Sequence, residues 1–417
     1  MRVTKDKRRN KALLIGRILI YLLCSILFLL VGLSIGYLLQ KRAERKRLWD
    51  KDYFPVQQVM SLVGYEETDK DSYHKTIAGI DIDISFDFAA GICNKNAYQF
   101  SLENEYEEYN EEYYLSREVI KKIVNYDLTY DDRNEIRAEP IDYLVKDWTE
   151  YSSLIAHAGG AVREKDYNGT YTNSLEALIQ NYNLGHRVFE FDFCLTTDGE
   201  LACIHDWKKN GEPDEKVYSR EEWLAFKLEG RYTTMMIDTL MDEMLVNPDI
   251  FIVMDTKSYK LENDEIRYQF QSIYELAKEK NPELLDHFIP QIYSDEMYDV
   301  IMDVYPWKSI VYTTYATDKT GEEIVAFVEE HDNIDVITYA MKDKRFDDDL
   351  KERVHSIGKK LYTHTVNTYT SMVEYAGNGV DGFYTDFLLP EDAQVYQRYM
   401  NVTYEPTEEE LTMLEND

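Results

Sequence analysis

From Leu154 onward, short apolar runs alternate with stretches of helical period, a pattern typical of parallel β/α architecture. Eight buried strands are predicted, at Leu154–His157, Val188–Phe193, Phe251–Asp255, Phe288–Ile292, Ser309–Thr314, Asp335–Tyr339, Lys360–Thr365 and Gly382–Asp386. Amphipathic helices are predicted between them, for example at Ser174–Leu184, Asp264–Lys280, Gly321–His331 and Asp347–Ile357. Eight strands in about 235 residues fit a (β/α)8 barrel, the TIM barrel. A doubly wound open sheet is the alternative, but no G-x-G-x-x-G follows any strand.

A run of 22 residues without a charged side chain, Ile18–Leu39, lies near the amino end. As a helix it would be roughly 33 Å long, enough to cross a bilayer. The apolar core of a cleaved signal peptide is usually shorter, about 7–15 residues. We therefore predict a retained transmembrane anchor over residues 13–39, preceded by a basic cytoplasmic segment at residues 1–12. Basic residues on both sides nearly balance, so a single-pass protein with an extracytoplasmic body is favoured mainly because the rest of the chain is acidic.

The remaining segments are assigned around these two features. Residues 40–152 form a juxtamembrane or accessory region, in which Ile80–Phe88 alternates as an amphipathic strand and Ser116–Tyr126 has a helical pattern. The aspartates of that strand are expected to form its solvated face rather than a cation site. Residues 153–390 form the predicted barrel, and residues 391–417 form an acidic tail.

The stretch Val188–Trp207 predicts two strands joined by a tight turn at Asp198-Gly199, a strong signal for a two-residue hairpin loop. With that loop, Asp192 faces His205 across the two strands. Because side chains alternate along a strand, Glu190 and Asp192 share one face, and three phenylalanines occupy the other. The pattern therefore gathers two carboxylates and an imidazole on one face of the hairpin.

Composition narrows the possible functions. The formal net charge is −33, which argues against nucleic-acid binding, because phosphate contacts need clusters of Lys and Arg. The acidic body also has no charge-based attraction to anionic lipid, so the anchor is expected to act as the tether. The four cysteines are too few for a disulfide scaffold and include no C-x-x-C zinc motif. In the predicted hairpin Cys194 faces Cys203, and whether the two are bridged is left open.

Active sites of TIM barrels lie at the carboxyl ends of the strands. Several chemically active residues fall at these ends or on the hairpin arm: His157, Glu190, Asp192, His205, Asp255 and Lys257. Three carboxylates make a hard site suited to Ca²⁺ or Mg²⁺, and two imidazoles can serve as general base and general acid. Lys257 can hold a non-bridging phosphoryl oxygen. Zinc is the competing cation, but it would use both histidines as ligands and leave no obvious acid. The set therefore suits phosphodiester hydrolysis.

Six segments resemble glycerophosphodiester phosphodiesterases in order and approximate spacing: IAHAGG, TNSLEAL, GHRVFEFDFCLTTDGELACIHDW, FIVMDTKS, LYTHTVNT and GVDGFYTDF. The resemblance covers about Leu154–Pro390, and its E-x-D…T-x-D-G…H-D block is the most specific part. It implies a TIM barrel with His157 and His205 as the acid/base pair and Glu190, Asp192 and Asp255 as metal ligands. It further implies that Lys257, Asn173 and His364 bind the substrate. In this family a neighbouring substrate hydroxyl is thought to attack phosphorus, and water then opens the cyclic product.

The chain departs from the family pattern at several positions. Ala158 stands where the family usually has a phosphate-binding Arg, and Arg163 or Arg187 are the candidates to replace it. Thr172 stands where Glu is common, Asp255 where Glu is usual, and His364 where Trp is frequent. These changes indicate a divergent branch with a different substrate, such as one related to phosphatidylinositol-cleaving enzymes.

The sequence thus predicts a membrane-anchored, metal-dependent phosphodiesterase. Its candidate substrates are glycerophosphodiesters, lipid headgroups and glycerol-phosphate polymers, and the cation is Ca²⁺ or Mg²⁺. The alternative is a catalytically weak or inactive barrel that acts as a binding or scaffold protein at the cell envelope. A glycosidase is disfavoured, because neighbouring carboxylates on one face of one strand do not flank a sugar from opposite sides.

Overall fold

The computed structural model describes residues 21–23, 25–41, 43, 48, 52–143, 148–165, 167–209, 216–257 and 261–393. The predicted basic segment 1–12, the first part of the predicted anchor and nearly all of the predicted acidic tail lie outside these residues. The chain divides into two compact units. The first consists of Met1–Gly64 with Leu102–Glu139, and the second of Tyr65–Ser101 with Pro140–Asp417.

Strands predominate before Leu154, and most of the helices come after it. In chain order, the strands are β1 Tyr53–Pro55, β2 Glu66–Asp69, β3 Ser72–Ile77, β4 Ile80–Asp87, β5 Ile92–Lys95, β6 Tyr98–Ser101, β7 Tyr106–Tyr109, β8 Glu112–Ser116, β9 Tyr126–Tyr130, β10 Ile136–Pro140, β11 Leu154–Ala156, β12 Val162–Glu164, β13 Tyr167–Gly169, β14 Val188–Leu195, β15 Leu201–Cys203, β16 Lys227–Leu228, β17 Tyr232–Thr233, β18 Phe251–Asp255, β19 Phe288–Ile292, β20 Ile310–Thr313, β21 Ile334–Ala340, β22 Lys360–His364 and β23 Gly382–Thr385. The helices are α1 Tyr21–Lys41, α2 Val56–Leu62, α3 Arg117–Val124, α4 Trp148–Tyr151, α5 Leu175–Asn183, α6 Arg220–Ala225, α7 Ile237–Val246, α8 Asn263–Lys280, α9 Asp295–Val304, α10 Gly321–Glu329, α11 Asp348–Ser356 and α12 Tyr369–Gly377.

Eight parallel strands of the second unit close into a barrel. Their order around the sheet is β11-β23-β22-β21-β20-β19-β18-β14, and a parallel pairing between β11 and β14 completes the ring. Helices α5 and α7 to α12 occur in the connections between successive barrel strands. The predicted (β/α)8 barrel is confirmed.

The alternation of side chains along each strand directs every second residue into the barrel. Apolar inward residues at the amino ends of the strands form a buried cluster that includes Val188, Phe251 and Val336. Trp148 of α4 belongs to this cluster, and its indole N–H donates to Ser309 Oγ at 2.8 Å. The amino end of the barrel is therefore filled by apolar packing, whereas polar inward positions occur further along the strands.

A five-stranded antiparallel sheet, β2-β3-β4-β5-β6, also belongs to the second unit. The predicted strand Ile80–Phe88 is its central strand β4, and Asp81, Asp83 and Asp87 are exposed as expected. The sheet packs against the helical shell of the barrel, where Tyr98 O–H donates to Glu243 on α7 at 2.8 Å.

The first unit combines a three-stranded sheet, β1-β8-β7, with the β9–β10 hairpin and helices α2 and α3. Phe54 of β1 stacks on Tyr130 of β9, with ring centroids 4.7 Å apart. Helix α3 lies within the predicted helix Ser116–Tyr126, and Ser116 caps it by accepting from Val119 N–H. The unit also contains α1, an apolar helix whose best 18-residue window has a mean hydropathy of 2.5 and no buried residues.

The predicted register of the β14–β15 hairpin is wrong by one residue. Leu195 pairs with Leu201, and Thr196 N–H donates to Glu200 O at 2.8 Å, so three residues form the loop. Gly199 takes the left-handed conformation (φ +82°) that a three-residue hairpin loop needs. Asp192 therefore lies opposite Ile204 rather than His205, and Ile204 N–H donates to Asp192 O at 2.9 Å.

The corrected register also separates the two hairpin cysteines. Cys203 pairs with Phe193 and Cys194 pairs with Ala202, so the two thiols lie on opposite faces of the hairpin. Both are free cysteines.

Candidate active site

Three buried carboxylates meet inside the barrel at the carboxyl ends of two adjacent strands. Glu190 and Asp192 are inward residues of β14, and Asp255 is the last residue of β18, paired in register with Asp192. One oxygen from each lies within 4.8 Å of the others. The neighbouring inward residues closer to the amino ends are Val188 and Val253, so the cluster begins where the apolar layer stops.

Asp192 and Asp255 are held by fixed donors. The Asn173 side chain donates to Asp192 Oδ2 at 2.9 Å and accepts from the Asp192 backbone N–H at 2.9 Å. Asp255 Oδ1 accepts from the Tyr293 hydroxyl and from the Lys257 backbone N–H. Because these bonds fix both carboxylates, the cluster is pre-organised before any ligand arrives.

Lys257 lies between two of the carboxylates. Its Nζ is 2.6 Å from Asp192 Oδ1 and also contacts Asp255 Oδ2. Burial lowers the pKa of Lys257, but the three carboxylates outweigh this effect and raise it above its usual value. Its predicted contact with a phosphoryl oxygen stays a prediction.

The charge balance of this group fits a divalent cation. Three carboxylates against one ammonium leave an excess of two negative charges in a place nearly without solvent, which is costly unless a cation compensates it. Burial and the Asp192 carboxylate raise the pKa of Glu190 to about 8, as expected when like charges share a buried site. Oxygen donors of this kind suit Ca²⁺ or Mg²⁺ rather than a soft metal.

His157 follows β11 and lies close to this cluster. Its Nδ1 is hydrogen-bonded to Asp386 Oδ1 at 2.9 Å. Burial lowers the pKa of His157, but the bond to Asp386 and the charges of Glu190 and Asp192 outweigh it, so the pKa is raised. With Nδ1 occupied, Nε2 is the nitrogen left for proton transfer.

His205 lies just beyond β15 and has a carboxylate partner of its own. Its Nδ1 is 2.6 Å from Asp206 Oδ2, and 27% of its side chain is exposed. Since it follows the last paired residue of the hairpin, strand alternation does not fix its direction. Burial raises the pKa of Asp192, but Lys257 and, to a lesser extent, His205 and His157 lower it to about 2, which indicates that the His205 imidazole lies near the carboxylate cluster.

Tyr171 lies between the two histidines. Its ring meets His157 edge to face at 4.4 Å between centroids and meets His205 in the same way at 5.6 Å. Its backbone has a positive φ of +58°, which is unfavourable for an aromatic residue. The ring is therefore placed as a spacer between the two imidazoles.

His364, the last residue of β22, lies on the same side of the barrel. Its Nδ1 is 3.2 Å from Thr338 Oγ1, and its ring packs against Tyr315 and Tyr384. Burial, and to a lesser extent the nearby His157, lower the pKa of His364 to about 4, so it is neutral at physiological pH. A neutral imidazole at this position can donate or accept a hydrogen bond but adds no charge to the site.

Neither arginine considered as a replacement at Ala158 is placed for that role. Arg187 precedes β14, at the amino end of the strand, and its guanidinium pairs with Asp249 at 2.5 Å. Arg163 donates to Asn181 Oδ1 and to the backbone oxygen of Phe387. Ala158 contributes its backbone instead, because its N–H donates to Glu190 Oε2 at 2.6 Å.

Three residues of the site were not predicted from the sequence: Asp386, Tyr171 and Tyr293. Asp386 had a usable signal, because it ends a predicted barrel strand, as Asp255 does. Tyr293 directly follows the strand β19, where an aromatic residue reads as core. Tyr171 lies in a loop at positive φ, and no local pattern indicates where such a ring points.

No protein-family model matches the chain, and no curated protein matches it. Among solved structures, the chain is similar to a glycerophosphodiester phosphodiesterase from Parabacteroides distasonis, with 18% identity, 58% of this chain and 96% of that chain covered, and a TM-score of 0.47. A phosphodiesterase from Oleispira antarctica, in complex with the product sn-glycerol-3-phosphate, shows 16% identity, coverage of 60% and 98%, and a TM-score of 0.47. A glycerophosphodiester phosphodiesterase from Thermotoga maritima shows 18% identity, coverage of 59% and 98%, and a TM-score of 0.42. The barrel assignment itself rests on the closed order of the eight parallel strands.

Proposed function

We propose that this protein is a metal-dependent phosphoric diester hydrolase that acts on glycerophosphodiesters or on related lipid-headgroup or glycerol-phosphate-polymer diesters. The observation that supports the proposal is that two groups of side chains lie at the same end of the barrel. One is the buried group Glu190, Asp192 and Asp255, and the other is the pair of imidazoles, each bonded through Nδ1 to a carboxylate. A structural core needs neither group, whereas metal-assisted hydrolysis of a diester with acid–base catalysis can use both.

The three carboxylates are the residues that would hold a divalent cation, with Asn173 and Tyr293 fixing their orientation. When bound, such a cation neutralises charge on the phosphoryl group and lowers the pKa of a hydroxyl nucleophile. Lys257 supplies a further positive charge on the same side. Its contact with Asp192 offsets part of the negative charge of the carboxylate group.

The two imidazoles carry the proton transfers. His157, whose pKa is raised, is suited to hold a proton on Nε2 and to donate it to the leaving oxygen as the phosphorus–oxygen bond breaks. His205, through its Nε2 lone pair, is suited to take the proton of the attacking hydroxyl. In each case the carboxylate at Nδ1 sets the tautomer and stabilises the imidazolium.

The apolar helix α1 supports membrane anchoring in the same proposal. Its 21 residues span about 32 Å as an α-helix, and its large apolar side chains are exposed along its length. The anchor would keep the barrel close to lipid or envelope polymer, with the barrel outside the cytoplasm. Resistance of the expressed chain to alkaline carbonate extraction, with the amino-terminal segment retained in its measured mass, is the expected result. A mature chain that begins after α1 would contradict it.

The activity is tested by release of phosphomonoester from a panel of diesters by the full chain, with Ca²⁺, Mg²⁺ or chelator. The panel includes glycerophosphodiesters, inositol lipids and glycerol-phosphate polymer. We expect cation-dependent turnover that falls about 10²–10⁴-fold in His157→Ala and in His205→Ala, the range for loss of a general acid or base. Turnover that survives in both variants would exclude this mechanism.

One observation favours the alternative of a barrel that binds diesters without hydrolysing them. Ala158 stands where the family usually has a phosphate-binding Arg, and neither Arg163 nor Arg187 is placed to replace it. Binding of a glycerophosphodiester by a folded chain, with no turnover in the presence of either cation, would establish that alternative.

A further inference from the structure

A cavity of about 580 Å³ lies in the first unit, beside Lys41, which follows the apolar run of α1. Its lining includes three tyrosines, two glutamates and this lysine: Tyr109, Tyr114, Tyr130, Glu112, Glu135 and Lys41. It belongs to neither the barrel nor the carboxylate–histidine site. Its lining combines aromatic rings with carboxylates, which is the chemistry that recognises organic cations.

The aromatic walls are fixed by contacts with one another and with neighbouring residues. Tyr109 and Tyr114 meet at 68° with ring centroids 6.3 Å apart, so the two rings form a corner. The Tyr130 ring is stacked on Phe54, and its hydroxyl donates to Tyr53 O at 2.9 Å. Rings held in this way line the cavity without having to be ordered by a ligand.

The charge of the lining favours a cation. The lining contains two carboxylates, Glu112 and Glu135, against one ammonium, Lys41. Glu112 accepts a hydrogen bond from the Tyr114 hydroxyl at 3.1 Å, whereas Arg137, 3.7 Å from Glu135, offsets part of the charge of that carboxylate. The Lys41 ammonium lies over the ring of Tyr37, one turn earlier on α1, at 4.8 Å.

Within the described part of the chain, the cavity lining contains only two carboxylates, Glu112 and Glu135. Among the residues that the structure describes, the close groups of three or more metal-ligating side chains comprise only the barrel cluster of Glu190, Asp192 and Asp255. A larger cation that contacts rings as well as carboxylates fits the dimensions better. An alkylammonium group has this size and makes its main contacts with aromatic faces.

We propose that this cavity binds the ammonium group of a zwitterionic phospholipid headgroup. The Tyr109 hydroxyl donates to Lys41 O at 2.8 Å and so joins the cavity wall to the point where the apolar run of α1 gives way to charged residues. If α1 spans the bilayer, the cavity lies at headgroup depth, where choline and ethanolamine groups are concentrated. The assignment of the ligand to a membrane lipid rests on the anchoring that is part of the proposed function. Binding of the ammonium group does not depend on the hydrolase activity.

The test uses the full chain and two arms. In the first, phosphocholine is titrated calorimetrically into the chain in a non-ionic maltoside detergent, with inorganic phosphate as the reference ligand. In the second, native mass spectrometry records the lipids that remain on the chain when it is released from nanodiscs of equal phosphatidylcholine and phosphatidylglycerol. The variants are Glu112→Gln and the double variant with Glu135→Gln, both of which keep hydrogen-bonding side chains. Glu108→Gln, an exposed position on the same β7–β8 hairpin outside the cavity lining, is the matched control.

We expect the wild type to bind phosphocholine but not inorganic phosphate. Phosphocholine should bind at least fivefold more weakly to Glu112→Gln and still more weakly to the double variant. Glu108→Gln should stay within twofold, and the nanodisc arm should retain phosphatidylcholine preferentially. Equal weakening by Glu108→Gln would show a surface-charge effect and overturn the proposal. Binding of free phosphocholine without lipid preference would overturn the lipid source. The His157→Ala variant should bind phosphocholine as the wild type does. A failure of the hydrolase proposal would therefore leave the binding result unchanged.

Discussion

Replacement of Asp386 by Asn tests the role given to His157. The hydrogen bond between Asp386 Oδ1 and His157 Nδ1 is 2.9 Å long and buried, with 13% of the histidine side chain exposed. A hydrogen bond to a charged group contributes about 1.5–3 kcal/mol, and one pKa unit corresponds to about 1.36 kcal/mol. Loss of this partner should therefore lower the pKa of His157.

The sign of the effect on stability follows from the direction of the shift. The folded-state pKa of His157 is raised above the ordinary value of 6.5. Its stabilising contribution is thus fully present below that value and is lost as pH rises through the folded-state pKa. We expect Asp386→Asn to lower the free energy of unfolding by about 1.5–3 kcal/mol near pH 5. The loss should be smaller near pH 9, because the contribution of protonated His157 is lost as the pH rises and only the other contacts of Asp386 remain.

The assay combines denaturant unfolding across pH with the pH profile of kcat, and with NMR titration of the His157 imidazole. Asp381→Asn is the matched control, because it breaks another histidine–aspartate pair, His355 Nε2 to Asp381 Oδ2 at 2.9 Å, at an exposed position. We expect kcat to fall about 10-fold to 10²-fold in Asp386→Asn only, in line with a loss of about 1.5–3 kcal/mol in the transition state. An unchanged His157 titration together with an unchanged kcat profile would refute the reasoning.

Three further outcomes follow from the same geometry. Glu190→Gln should abolish calorimetric Ca²⁺ or Mg²⁺ binding and turnover together, because one of three buried carboxylates is removed; retained cation binding would show that the cluster is not the metal site. Tyr171→Leu should lower kcat at least tenfold with little change in KM, while Tyr171→Phe keeps the ring and most of the rate; equal losses would argue against the spacer role. Gly160→Ala should lower the unfolding free energy by about 2–5 kcal/mol in a denaturant melt, because Gly160 has φ +83° and an added Cβ would lie 2.5 Å from Asn181 Nδ2; a melt like the wild type would contradict this.

The barrel was predictable because its strands are short apolar runs separated by amphipathic helices. Phe251–Asp255 and Phe288–Ile292 were predicted with the bounds that the structure has, since each run begins and ends at a clear change of pattern. The hairpin register was not predictable, because Asp198-Gly199 is compatible with loops of two or three residues. The backbone bond between Thr196 and Glu200, which selects three, has no signature in the sequence.

Much of the site could be predicted for a different reason. Glu190, Asp192 and Asp255 are charged side chains at positions where the strand pattern requires burial, and such a conflict points to function. Residues that act through loops could not be predicted in this way. Tyr171 reaches both imidazoles only because its loop adopts a positive φ, and the pairing of His157 with Asp386 joins the first and last strands of a ring that closes only in three dimensions.

The most direct test of the central claim measures cation binding and turnover on the same samples of full-length chain. Calorimetry would give Ca²⁺ or Mg²⁺ binding, and ³¹P NMR would follow conversion of a glycerophosphodiester to phosphomonoester. The account predicts that His157→Ala and His205→Ala bind the cation as the wild type does but leave the diester intact, whereas Asp255→Asn loses both properties. Full turnover in either histidine variant, or turnover that continues in Asp255→Asn under excess chelator, would contradict it.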